Sequence, residues 1–206
     1  MLKKILPGYN YLSIYLLILI LFNIFLLYLP LTNVFGYEFS VANSILLVFL
    51  SGFYTISLIK KIKLGKINRD LTKKYFRVII IWFLLIPGFI SITHSIFSFS
   101  CSFIDGVAFY AVITAPSVVV GIALGFISSY IGKRFQGIIF ILILLLIISI
   151  PLLEFYLNPQ IYFYNPIFGY FPGTIYDEGL SVSLKLLLYR LANLFTSALL
   201  YFSFTI

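Results

Sequence analysis

Apolar residues run through this chain in long unbroken stretches, without the alternation of a strand or the single stripe of a surface helix. Six such runs can be marked: Tyr11 to Leu31, Val41 to Ile59, Val78 to Phe97, Val107 to Ile131, Gly137 to about Leu153, and Leu184 to Ile206. A helix needs about 20 consecutive apolar residues to cross the hydrocarbon of a bilayer. The pattern therefore predicts an all-α fold, a polytopic membrane helix bundle of about six transmembrane helices in a single domain over residues 1–206. The first run follows Lys3 and Lys4 as a secretory signal would, but it is too long for one and lacks a small-residue cleavage site, so it reads as an uncleaved span. Pro30, Asn33, Gly36 and Glu38 turn the chain into the second run. Pro87 with Gly88, and Pro116, fall inside the third and fourth runs, where a missing N–H and a ring clash should kink the helix.

Composition agrees with the pattern. The 206 residues are 62% hydrophobic and 10% charged, more apolar side chain than a soluble core of this size hides. A single cysteine, Cys101, excludes an intramolecular disulfide and a cysteine-clustered metal site. Charge then gives an orientation. Residues 60–77 carry eight Lys or Arg against Asp70 alone, and such a cluster beside a span is held at the anionic cytoplasmic leaflet. With the N-terminus inside, Lys3, Lys4, those eight, Lys133 and Arg134 put 12 of 14 basic residues on the cytoplasmic face. The expectation is a multi-pass protein of the cell membrane with both termini cytoplasmic. The basic loop nearly lacks aromatic residues for base stacking, so no nucleic-acid partner is expected. No cytoplasmic flank follows TSALLYFSFTI, which raises the expectation that these residues are the membrane part of a longer polypeptide.

Few residues carry candidate chemistry. Ser117, Gly121, Gly125 and Ser129 recur at every fourth position, and small residues so spaced form a face that lets a second helix approach closely. His94, the only histidine, stands among Ser91, Thr93, Ser95 and Ser98. At membrane depth it is a candidate proton relay or ligand; without a companion, an interfacial histidine bonded to hydroxyls or water is the plainer expectation. No spacing supports a metal site. In the last run Arg190, Asn193 and Ser197 make a polar stripe at helical spacing. Lys185 is expected to snorkel to the rim, and Arg190 to do likewise or to pair with Asp177, Glu178 or Glu154, with an ion or proton pathway as the alternative.

The stretch Asn158 to Gly179 is unlike the rest. It holds three of the eight prolines, seven aromatic rings, and the acidic pair Asp177 and Glu178. Prolines prevent a regular helix, and half-buried aromatic rings suit the headgroup region. It is expected to lie on or dip into the outer surface as a cap, with Tyr164, Tyr170, Phe171, Tyr176, Asp177 and Glu178 as candidate contacts for a partner or ligand. An aromatic interfacial anchor is the alternative.

Two likenesses attach to these residues. The run from Pro159 through Asn165, Pro166, Gly169 to Gly173, Tyr176, Asp177 and Glu178 is similar to a stretch in uncharacterised bacterial multi-span membrane modules. In some of those proteins the module precedes a soluble, sometimes peptidase-like, domain. Arg190 to Asn193 with Thr196, Ser197 and Ala198 resembles the arginine helix of the ATP synthase a subunit. That family separates its arginine and asparagine by one residue more and has a glycine after the asparagine, so no residue role is carried over.

Phosphate-binding Gly-Lys-Ser loops, zinc-protease helices and Gly-x-Ser-x-Gly elbows are all missing from the sequence. No catalytic residue and no cofactor is expected. The resulting expectation is a non-catalytic integral membrane module or subunit whose outer aromatic loop meets another membrane or extracytoplasmic protein, or a ligand. The competing class is a small-solute transporter component, similar in size and span count to the substrate-binding membrane subunits of energy-coupling-factor transporters.

Overall fold

Proline, and the donors that gather around it, decide where these apolar runs break. The structure, a computed structural model, describes residues 9–65, 67, 72–98, 103–132, 134–157, 163–171 and 181–205. Among them stand six helices: α1 (Tyr9–Leu26), α2 (Tyr37–Lys63), α3 (Thr72–Ser98), α4 (Phe103–Ile131), α5 (Gln136–Leu157) and α6 (Leu184–Thr205). A two-stranded hairpin, β1 (Phe163–Asn165) and β2 (Gly169–Phe171), lies between α5 and α6. The fold is all-helical apart from this hairpin.

Of the six expected spans, four helices among the described residues are both long and apolar enough to cross a membrane: α2, α3, α4 and the Gln136–Glu154 part of α5. The first run ends early, at Leu26. Pro30 cannot donate to the Leu26 carbonyl four residues back, and that oxygen instead accepts from Leu29 N at 3.3 Å and Thr32 Oγ1 at 2.9 Å, closing the helix into a turn. The last helix carries Lys185 and Arg190 within its first two turns.

Packing is closest where glycine permits it. Gly121 of α4 is pressed on α2 so tightly that a Cβ there would meet Ser51 Oγ and lie 2.6 Å from the Val48 carbonyl oxygen. At Gly125 a Cβ would lie 2.7 Å from the Gly52 carbonyl. Small residues at this spacing bring two backbones together, and dispersion between them is then maximal. Two apolar clusters flank the α2–α4 pair: one joins α1, α2, α3 and α4 around Leu19, Leu47, Phe83 and Val118, the other joins α2, α4, α5 and the hairpin around Val48, Phe140 and Ile167. Outward-facing positions on α3 and α5, such as Phe89, Leu142 and Leu146, are apolar and more than half exposed. Such a surface is compatible with an apolar solvent around the helices.

Candidate functional site

The same proline logic builds a polar centre inside the bundle. Pro116 has no N–H, which deprives the Val112 carbonyl of its helical donor, and over Tyr110–Thr114 α4 widens into a π turn, a local form frequent at functional sites. Arg190 of α6 supplies the missing donors. Its Nε donates to the Val112 carbonyl at 3.0 Å, and one terminal nitrogen, Nη2, donates to the Ile113 carbonyl and, at 2.6 Å, to Ser117 Oγ. The other, Nη1, donates at 2.5 Å to the Pro166 carbonyl at the hairpin tip, and the Ile167 carbonyl lies 3.4 Å from Nη2.

Arg190 is 1% exposed, and these partners are all uncharged. Burying a guanidinium costs several kcal/mol even after relaxation, whereas each buried carbonyl left without a donor costs roughly 1–3 kcal/mol. Four carbonyls and a hydroxyl converging on one planar fork are therefore enough to hold the charge in place. This burial corrects the expected snorkelling of Arg190 to the rim; of the acids expected to pair with it, Asp177 and Glu178 lie outside the described residues. The open carbonyls of a broken helix are acceptors already present inside the bundle.

The hairpin is shaped to reach that centre. Asn165 pairs with Gly169 across a tip of Pro166, Ile167 and Phe168. Asn165 Oδ1 accepts from Ile167 N at 2.8 Å, an Asx turn that presets the tip. Gly169 has φ +87°, which L side chains rarely adopt, and a Cβ there would also stand 3.3 Å from Ile113 Cγ1. Asn165 Nδ2 donates at 3.3 Å to the Ile147 carbonyl, the oxygen that Pro151 leaves open in α5. On the third side the Tyr37 hydroxyl donates to the Tyr170 carbonyl, with the two rings 5.2 Å apart. Ser117 is the middle residue of the 29-residue α4, and Ile147 lies at the middle of the 22-residue α5. The tip thus enters the bundle to mid-helix depth, with Asn165 and Ile167 buried. Over residues 163–171 the expected cap reaches deeper than a surface loop; the rest of the Asn158 to Gly179 stretch lies outside the described residues.

The sequence candidates divide accordingly. Ser117 and Arg190 belong to the centre. Tyr170 is buried, and Tyr164 is half-buried with its ring 5.2 Å from that of Tyr189. Phe171 ends β2, paired with Phe163. Tyr176, Asp177 and Glu178 lie outside the described residues. Gly121 and Gly125 pack on α2, and the Ser129 carbonyl accepts from Lys63 Nζ at 2.9 Å, so the partner of the small-residue face is within the chain. His94 on α3 and Asn193 on α6 are half-buried and stand apart from the Arg190 cluster; the Asn193 carbonyl accepts from Thr196 Oγ1. Asn165 and Tyr37 were not singled out by sequence. The available signals were the Asn-Pro turn pair and the number of unpaired carbonyls that three intrahelical prolines create.

No protein family, curated protein or solved structure matches this chain. The geometry stands alone as the guide to function.

Proposed function

We propose that the chain is a non-catalytic integral membrane module of the cell membrane, with six spans and cytoplasmic termini. In this reading the internally anchored hairpin, residues 163–171, supports the surface that a partner protein meets, with Tyr176, Asp177 and Glu178 as the candidate contact residues. The supporting observation is the anchoring itself: Arg190, Asn165 and Tyr37 tie residues 163–171 to three different helices. An anchored hairpin favours a binding role, because a surface ordered beforehand lowers the entropic cost of association. Anchoring also accounts for an arginine at mid-bundle without an ion path, since the donors of Arg190 are spent on carbonyls.

The test uses the full chain in native membranes. Changing Tyr176→Ala, Asp177→Asn and Glu178→Gln together should abolish co-purification of a second membrane or extracytoplasmic protein while leaving the chain folded. Unchanged co-purification, or a wild-type chain that purifies with no partner, would sink the docking reading.

A second reading, a small-solute transport component, is favoured by one observation. On the α1–α3 side, buried polar atoms of Asn23, Asn43, Ser91 and Ser95 lack partners among the described residues. Retention of a small molecule by the isolated monomer would decide for it.

A further inference from the structure

Helices α1 and α3 pack more on each other than on the α2–α4 core. Polar atoms on their side are not matched as those around Arg190 are. Asn23 and Asn43 are fully buried. The amide nitrogen of each donates to the carbonyl four residues back in its own helix, Asn23 Nδ2 to Leu19 at 2.9 Å and Asn43 Nδ2 to Phe39 at 3.1 Å. A carbonyl only accepts, so the atom facing it has to be the nitrogen. That leaves Oδ1 of each residue buried with no partner among the described residues.

The two amides share a layer. On α1, Asn23 falls between Leu19 and Leu26, which belong to two different apolar clusters. On α2, Asn43 falls between Leu47 and Phe39, members of the same two clusters. Buried acceptors are almost always satisfied in folded proteins, and here two of them fall at the level where α1 and α2 pass from one cluster to the other.

We propose that Asn23 Oδ1 and Asn43 Oδ1 are the acceptor ends of one site, and that its occupant is a small uncharged molecule donating two hydrogen bonds. The site offers acceptors and no carboxylate. A cation is disfavoured because two neutral amide oxygens leave its charge uncompensated in a low-dielectric interior. The same chemistry fits a resident water or a solute with paired O–H or N–H groups. The solute case rests on the transport reading, and the water case stands without it.

The experiment is a double-mutant cycle on the detergent-solubilised full chain, using Asn23→Leu, Asn43→Leu and the double variant, read as thermal unfolding midpoints. If one occupant bridges both oxygens, the second substitution shifts the midpoint by less than about half of what it does alone. Additive shifts overturn the proposal. Titrating the wild-type chain with glycerol and with acetamide separates the sources. A saturable rise in midpoint, lost in Asn43→Leu, assigns a solute; a coupled cycle with no rise assigns water. Should a leucine variant fail to fold, an experimental density map of the unmodified protein decides. Density within hydrogen-bond reach of both Oδ1 atoms supports the site, and its absence refutes it.

Discussion

Among the described residues Arg190 holds its place by donating to four carbonyls and a hydroxyl. Leucine at this position would leave the carbonyls of Val112, Ile113, Pro166 and Ile167 facing an apolar side chain. Arg190→Leu should therefore destabilise the chain by roughly 3 kcal/mol or more, read by unfolding in mixed micelles. Lysine keeps the charge but offers three donors from a single point, where these acceptors need a planar fork. Arg190→Lys should accordingly recover less than half of the loss; full recovery would mean that charge alone matters. Residue type made Arg190 conspicuous in the sequence, yet its partners are backbone carbonyls, which no residue letter announces. Asn165 was hidden for the same reason, its amide bond going to the Ile147 oxygen beneath Pro151.

At the scale of elements, the α2–α4 contact and the proline breaks divide the work. The small-residue face of Ser117, Gly121, Gly125 and Ser129 was legible from spacing, although its partner helix was not, because many apolar faces could have met it. Gly121→Ala should cost about 1–3 kcal/mol by overpacking, since Val48 backbone atoms, which cannot rotate away, stand in the path of the new methyl. The control is Gly137→Ala, where the nearest atom is Phe53 Cε1 at an ordinary 3.5 Å and alanine improves helix propensity. Unfolding midpoints should fall for the first and hold or rise for the second. Equal effects would mean that α2 and α4 are not pressed together at Gly121. The hairpin was the element least legible in sequence. Its aromatic and proline content resembles an interfacial loop, and only the open carbonyls of α4 and α5 make an interior position favourable.

For the whole molecule, the all-helical architecture and the apolar exterior followed directly from the six apolar runs, because a chain so poor in polar residues has few other ways to satisfy its backbone. Among the described residues four helices meet the length and hydropathy needed to cross a membrane, while α1 ends at Leu26, ahead of Pro30, and α6 carries the charge that builds the interior. The central claim is that the tip of the hairpin is inside the bundle and held there. Labelling of Ile167→Cys in a Cys101→Ser background tests it directly, using an impermeant maleimide on unsealed membrane fragments in which both faces are reached. The account predicts no labelling before denaturation with SDS and complete labelling after it. Complete labelling of the undenatured protein would put residue 167 on the surface and contradict the account.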